Sequence, residues 1–532
     1  MDGAFDVVIV GAGSAGCVLA HELSQVRGLR VLVLEAGGSD RRLFVQMPLG
    51  YGKLYYDPTV NWCYRTEPDE GLAGQSDYWP RGKVLGGSSS INAMVWIRGH
   101  PADYDDWAAI AGPEWGRDAA QAGFEAIETA LDIAPPGPHA HPLVGAYLAA
   151  GQAAGLPVNT DFNDWHAPLV QEGVGTYRFS IRGARRNSAA RAFLRPAQRG
   201  GQVAVLTGAH VTQVLFEGGR ACGVRYRRAG ALHSALLRPG GEVVLAGGAI
   251  NTPQVLMLSG IGPGAALAGM GLEVRADLPA VGANLNDHQG INYTWRMRVP
   301  TMNDVLRPWW GKLRAGMDWM LRGQGPLARS INHGGGFFRT DPALSRPNMQ
   351  LYFQAFSTLI PREGERPVLS PDPFSGLSIG LSNCRPESRG RIELASPDPL
   401  AAPRIHARAF ATERDVAEML AAVKMLRKIA AQPAFAELAV EELRPGPSVR
   451  DDGALIEDFR ARSGTVFHPS CTARIAQSPA EGAVDPGLRV HGVGGLRVCD
   501  ASAFPTLIGG NTNAPAMLMG WQLGRRMAAE RK

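Results

Sequence analysis

The run Gly11-Ala12-Gly13-Ser14-Ala15-Gly16 has G-x-G-x-x-G spacing, and Glu35 stands 19 residues after its last glycine. Each position has a physical task in holding a dinucleotide. Gly11 permits a tight turn, Gly13 lets backbone approach a pyrophosphate, and Gly16 lets a helix pack close to a strand. A helix starting there points N–H groups and the positive end of its dipole at phosphates. Glu35 can accept hydrogen bonds from a ribose. The same spacing also suits a glycine-rich turn that serves packing alone, and it does not separate FAD from NAD.

Other reactive side chains are plentiful but unpatterned. None of the six cysteines forms a C-x-x-C pair, so neither a zinc site nor a disulfide framework is predicted. That usage fits a reducing compartment. Twelve histidines give no metal-ligand spacing. The net charge of +5 is mild, and basic residues such as Arg182, Arg185, Arg186 and Arg191 are scattered, which argues against nucleic acid as a partner. No apolar stretch is long enough to span a bilayer, and the chain runs from Met1-Asp2-Gly3 straight into a strand without a basic leader. A cytoplasmic protein is expected, with peripheral membrane contact left open.

The elements that must position the cradle follow from the pattern. Phe5 to Val10 is a short β-branched run and reads as a buried parallel strand. A helix pattern covers Ser14 to Gln25, and Arg30 to Leu34 is a second buried strand ending at Glu35, completing a βαβ unit. Further strands are predicted over Val203 to Phe216 and Gly241 to Ala246. Leu131 to His141, with three prolines, reads as a surface loop or lid. The middle of the chain differs: a Trp-rich helical segment (Trp309, Trp310, Trp319), an alternating strand over Asn348 to Phe353, and a long helix over Thr412 to Gln432. At 532 residues at least two domains are expected. Glycine, 66 of 532 residues, is about 12% against a typical ~7%, consistent with many tight turns and close backbone approaches.

Four further motifs carry a resemblance. Arg81-Gly82-Lys83-Val84-Leu85-Gly86-Gly87-Ser88-Ser89-Ser90-Ile91-Asn92-Ala93 is followed by Gly247-Gly248-Ala249-Ile250-Asn251-Thr252-Pro253-Gln254. Near the C-terminus stand Val498-Cys499-Asp500-Ala501-Ser502 and Gly509-Gly510-Asn511-Thr512-Asn513-Ala514-Pro515. In type and order they resemble the glucose–methanol–choline (GMC) oxidoreductases, and most of all the bacterial alcohol- and choline-dehydrogenase branch. The resemblance implies a mixed α/β fold: a Rossmann-like FAD-binding domain interleaved with a substrate domain built on an antiparallel sheet flanked by helices. The FAD-binding stretches are expected at 1–155 (with the lid near 131–145), 196–290 and 465–532, and the substrate stretches at 156–195 and 291–464.

The resemblance also implies the site. Cofactor contacts are expected from Gly11, Gly13, Ser14, Ala15, Gly16, Glu35 and Ala36 in the cradle. Arg81, Gly86, Gly87, Ser88, Asn92, Ala93 and Val95 follow in the first signature. Val211 is placed on the adenine side through its backbone; Asp500, Ala501, Asn511 and Thr512 complete the set. Gly86 to Ser89 suit the presentation of backbone amides to a flavin ring, and Asp500 reads alternatively as a helix cap. Some relatives tether the flavin to a histidine where Ile91 stands; isoleucine cannot form that bond, so noncovalent FAD is expected.

His468, in a His-Pro dipeptide, and Asn511 match the family's two catalytic positions. Oxidising an alcohol requires its hydroxyl proton to leave as hydride departs, and a histidine, with an ordinary pKa of ~6.5, can take it. Asn511 cannot be a base but can donate to the oxygen as charge develops there. Asn513 is expected to hold the turn through its own side chain. Cys471-Thr472-Ala473-Arg474 departs from the family's Gly-Thr-Cys-Arg, which puts the local backbone in question. Trp62, Met94, Tyr352, Phe353, Phe356 and Phe467 are expected pocket walls or core; if several line the cavity, the substrate is apolar or aromatic rather than a sugar.

The expected reaction is oxidation of a primary alcohol, aliphatic or aryl, with oxygen or a quinone as final acceptor. Two other activities of this fold are weighed: a fatty-acid photodecarboxylase, for which Cys384 and Arg404 distantly resemble the carboxylate-handling pair, and a hydroxynitrile lyase. A flavin-carrying protein without activity is the non-enzymatic reading. A quaternary-ammonium cage could come from the same aromatics, though no acidic partner stands out.

Overall fold

The computed structural model describes residues 4–133, 141–359 and 370–531. Phe5–Val10 lies at the middle of a seven-stranded sheet ordered Val203–Thr207, Val31–Glu35, Phe5–Val10, Ala231–Leu245, Arg220–Arg228 and His210–Glu217, with Leu496–Val498 added on Ala231–Leu245. The pairs around Phe5–Val10 are parallel, with Val8 opposite Leu32 on one side and Val243 on the other. Val7, Val8 and Ile9 are fully buried, which is why the run is apolar at every position rather than at alternate ones.

Helix Ser14–Ser24 covers this sheet and packs along the C-terminal helix Asn513–Ala529. A side chain at Gly520 would meet the Ala15 carbonyl at 2.3 Å. That close approach brings the start of the last helix beside the cradle, and the Ser14 hydroxyl donates to Asn513 Oδ1 at 2.7 Å. Asn513 therefore ties the two ends of the chain together instead of holding its own turn.

The second sheet has eight strands, ordered Ala439–Arg444, Gln289–Met297, Gly376–Asn383, Met349–Gln354, Asn332–Phe338, Gly173–Thr176 and Val158–Asn159, with Gly464–Thr465 paired to Gln289–Met297. Its pairs are antiparallel except the last. Alternation along the strands sets its two faces. Leu351, Phe353, Leu377, Ile379 and Trp295 enter a core shared with helices Leu143–Ala153 and Glu413–Ala430. Gln350, Tyr352 and Gln354, at the alternate positions, face the other way, toward the first sheet. The polar side of these strands is thus buried without facing bulk water.

The expected helix over 412–432 is Glu413–Ala430, opened by Thr412, whose hydroxyl accepts from the Asp415 amide. The Trp-rich segment is helix Trp309–Met317, continued by a wider turn over Asp318–Arg322. Of the expected lid, residues 134–140 lie outside the described residues. Among the described residues no helix is long and apolar enough to cross a membrane.

Candidate active site

Between the two sheets lies a cavity of about 1280 Å³, above the ~300–1,000 Å³ of an ordinary small-molecule site. The cradle opens at one end. Gly11, Gly13, Ser14, Ala15, Glu35 and Ala36 line it, and Val211 and Ala209 close its side. A side chain at Gly13 would meet nothing nearer than the Ala246 carbonyl at 3.9 Å, so the space in front of that backbone is kept clear for a ligand. Glu35 is buried and accepts one backbone N–H at each oxygen, from Ala12 at 2.9 Å and Gly37 at 2.7 Å. Burial pushes its carboxyl up to about 7, and a diol donating to its remaining lone pairs would relieve that. The residues present therefore fit a dinucleotide.

Arg81, Gly87, Ser88, Asn92, Ala93 and Val95 line the middle of the cavity, and Asp500, Ala501, Asn511 and Thr512 line it from the C-terminal segment. Arg186 Nη1 and the Met94 amide both donate to Asn92 Oδ1, at 2.7 and 3.1 Å, which commits its oxygen and leaves its NH₂ group to serve a ligand. Asp500 accepts from the amides of Gly248 and Ser502 and from the Thr252 hydroxyl. It is a helix cap and a cavity wall at once.

Several expectations are corrected. Gly16 does not face the cavity; a side chain there would meet the Gly11 carbonyl at 2.1 Å, so its task is helix–strand packing. Gly86 is also behind the wall, its amide donating to the Ala12 carbonyl. The amides of Gly87 and Ser89 are committed to Val84 and Gly86, so this loop cannot offer all its N–H groups to a flavin. Phe353 stacks on Tyr147 in the core behind the second sheet, one residue out of phase with the cavity face. Phe356 packs with Met302, Leu306 and Ala315. Trp62 lines the cavity but beside His210 and Lys83, at the Val211 end. Met94, Tyr352 and Phe467 do line it. Between them the second sheet contributes Asn292, Thr294, Asn332, Gln354 and Ser378, so the wall is mixed rather than apolar. Neither Cys384 nor Arg404 lines the cavity; Cys384 is buried with Tyr177 and Tyr352, and Arg404 is exposed on a two-stranded ribbon.

The reacting end is a chain of side chains. Asn511 Nδ2 and His468 Nε2 stand 3.1 Å apart, and His468 Nδ1 lies 2.9 Å from Nδ1 of His288. His288 Nε2 is 3.0 Å from the Cys384 carbonyl. A carbonyl only accepts, so His288 carries its proton on Nε2. Burial pushes His288 down to about 4, so at neutral pH its Nδ1 is a lone pair. His468 must then donate from Nδ1, which leaves its own lone pair on Nε2, toward Asn511. The Asn511 amide is oriented from its other side: Gln350 Nε2 donates to its Oδ1 at 3.1 Å, and the Tyr352 hydroxyl donates to Gln350 Oε1 at 2.7 Å. Every donor in this chain meets an acceptor.

The backbone around His468 is held as tightly. Its amide donates to Asp287 Oδ1, and Thr465 donates to the other oxygen of Asp287. Arg81 donates to the Phe467 carbonyl at 2.8 Å. Phe467, Met94 and Cys471 all take left-handed backbone, with φ of 74°, 62° and 69°, a strain that concentrates at functional sites. Cys471 adopts the conformation that the family's glycine supplies freely, so its departure keeps the local geometry. Burial lowers the His468 pKa well below the ordinary value, and His288 and Arg81 lower it further.

Sequence reasoning missed His288, Asp287 and Gln350. His288 lies 180 residues from His468, and nothing local marks it beyond an Asp-His dipeptide before a strand. Gln350 was within reach, because it shares the parity of Tyr352.

GMC oxidoreductase family models match residues 5–290 and 386–520. The chain is 38% identical over 529 residues to an alcohol dehydrogenase [acceptor] of Pseudomonas putida, covering 97% of this chain and 94% of that one. It is 37% identical over 541 residues to the mitochondrial choline dehydrogenase of Homo sapiens, covering 97% and 88%. Among solved structures, pyridoxine 4-oxidase from Mesorbium loti superposes with a TM-score of 0.85 at 27% identity, covering 98% of this chain and 99% of that one. FAD is the cofactor the family implies, and the glycine cradle with Glu35 fits a dinucleotide. With motifs, two-sheet architecture and full-length similarity in agreement, the chain belongs to the GMC oxidoreductase family.

Proposed function

We propose that the protein oxidises a primary alcohol, aliphatic or aryl, to its aldehyde, with His468 as general base and Asn511 as hydrogen-bond partner of the substrate oxygen. Bound FAD supplies the hydride acceptor, and oxygen or a quinone serves as final electron acceptor. The observation that carries the reading is the 3.1 Å meeting of a neutral imidazole lone pair with a carboxamide donor. A substrate hydroxyl that displaces Asn511 from that lone pair gives its proton to His468 Nε2, and its oxygen receives a hydrogen bond from the Asn511 NH₂ group. Because His288 already fixes the other proton of His468 on Nδ1, the base needs no tautomeric change before it acts. Asn511 stabilises the oxygen as negative charge gathers there, without competing for the proton.

Arg65, Arg81, Arg444 and Arg462 line the cavity together with Glu35, Asp77 and Asp500, so its charge is mixed and the choice between an uncharged and a quaternary-ammonium alcohol falls to the substrate panel below. The polar side chains of the second sheet suit an alcohol bearing a further hydrogen-bonding group. Ile91 lines the cavity and offers no bond to a flavin, so we read the FAD as noncovalent; acid precipitation should leave the yellow colour in the supernatant. We keep the division into flavin stretches and substrate stretches, except that helix Leu143–Ala153 belongs with the second sheet, since Tyr147 stacks on Phe353. The test is anaerobic mixing of the FAD-loaded enzyme with primary, secondary, aryl and quaternary-ammonium alcohols. Bleaching of the flavin by primary alcohols is expected. Full FAD occupancy with no bleaching by any of them would end the reading.

A further inference from the structure

The Trp-rich segment has no task in the chemistry above, and its outer face is unlike the rest of the surface. Helix Trp309–Met317 and the turn Asp318–Arg322 bury Gly311, Ala315 and Trp319, four residues apart. The opposite face holds Trp309 at 76% exposure, Trp310 at 59%, Leu313 at 55%, Met320 at 68% and Leu321 at 82%. Among the described residues these large side chains have no partner, whereas monomeric proteins usually scatter theirs singly.

Cations surround them. Lys312, Arg314 and Arg322 stand on the same segment. The tip of hairpin Ile181–Arg186 accepts the Trp319 indole N–H at the Ala184 carbonyl, and it adds the exposed Arg182 and Arg185. Helix Leu43–Gln46 packs on that hairpin and exposes Leu43 and Phe44, preceded by Arg41 and Arg42. The acids nearby are already engaged: Asp318 with Arg322 and Arg314, Asp132 with Arg182, and Asp57 with Arg42. Among the described residues Lys312, Arg41 and Arg185 have no acidic partner.

We propose that this face docks onto an anionic lipid surface. Exposed tryptophans and leucines beside lysine and arginine are what a helix lying in the plane of a bilayer interface presents: apolar side chains enter the headgroup boundary and the cations meet lipid phosphates. The charge decides between occupants. A second copy of the chain would set this cationic rim against itself, while an anionic membrane complements it.

The place of the face in the fold gives the docking a use. Leu306 and Ala315, on the inner side, pack with Leu49 and Tyr51, and Tyr51 lines the reaction cavity. One layer of side chains therefore separates the docked surface from the cavity wall, a short path for an oily alcohol or a lipid-soluble acceptor. That last step rests on the proposed alcohol oxidation; the docking itself does not.

The test is flotation of the FAD-loaded enzyme with vesicles of phosphatidylethanolamine and phosphatidylglycerol, with pure phosphatidylcholine vesicles as control. The protein should float with the anionic vesicles, much less with the neutral ones, and less as salt rises. The double variant Trp309→Ser/Leu321→Ser should cut the bound fraction at least roughly tenfold, because two large side chains no longer enter lipid. Lys312→Glu should weaken binding to the anionic vesicles alone. FAD retention and turnover of a water-soluble alcohol should stay at the parent's level in both, which separates lost docking from lost folding. Wild type left at the bottom of the gradient, or the double variant floating like its parent, overturns the proposal. So does light scattering that shows a dimer which the double variant splits, since the face would then join two copies.

Discussion

The two ends of the cavity are built in opposite ways. At the cradle end the chemistry is done by backbone, and the residues that allow it are neighbours in sequence: Gly11, Gly13 and Gly16 within six positions, with Glu35 closing the next strand. At the reacting end it is done by side chains, and the chain from the Cys384 carbonyl through His288, His468, Asn511 and Gln350 to Tyr352 draws on five separate stretches. A backbone site is fixed by local conformation. A side-chain site is fixed only once two sheets have folded against each other. Damage at the first should cost the cofactor, and damage at the second should cost rate while the cofactor stays.

Substitutions at each end sharpen that contrast. The largest effect is expected from Gly11→Ala, whose new carbon would lie 2.4 Å from the Ala246 carbonyl on backbone at φ 108°. The purified variant should be colourless, with the flavin-to-protein absorbance ratio near zero; a fully yellow variant would contradict the cradle's role. His288→Ala comes next. It frees His468 to take the wrong tautomer, and roughly 10–100-fold should be lost from kcat/KM with FAD still bound. Burial is the largest cause of the low His468 pKa and remains, so the acid limb of kcat/KM should stay well below pH 6.5 while the plateau falls. His288→Gln should recover part of the rate, because an amide can both donate to Cys384 and accept from His468.

Smaller changes test the margins. Gln350→Leu removes one hydrogen bond to Asn511 Oδ1, about 1 kcal/mol, and should slow flavin reduction roughly fivefold. An unchanged rate would mean that Asn511 needs no such support. Cys471→Gly trades a buried sulfur for relief of left-handed strain; it should change stability by about 1 kcal/mol or less and leave turnover intact, as read by thermal melting and steady-state assay.

The same division explains what the sequence made legible. The βαβ start and the long helix after Thr412 follow from local pattern, and the structure has them within one or two residues; the stretch Val203 to Phe216 divides instead into two strands, and Gly241 to Ala246 is the end of a strand that begins at Ala231. His468 and Asn511 were legible only through the family motifs around them. Phe353 does not line the cavity because of strand parity: Tyr352 faces the cavity, so its neighbour Phe353 cannot; Phe356 shares the parity of Tyr352 but lies past the end of the strand at Gln354 and packs with Met302 and Leu306. His288 was invisible for a different reason. Its task exists only through a contact across 180 positions, and its position before a strand resembles that of any buried histidine.

Alcohol oxidation at this site requires His468 to hold a lone pair at Nε2 beside Asn511 at working pH. Rapid anaerobic mixing of FAD-loaded wild type and His468→Ala with a primary alcohol, followed across pH, tests this most directly. A base works only when unprotonated, and burial, His288 and Arg81 all lower the pKa of His468. The wild-type rate should therefore hold steady as pH falls past 6.5 and decline only well below it. His468→Ala should stay yellow and reduce on the order of 10²–10⁴ times more slowly. Equal reduction rates in the two proteins would contradict the assignment outright.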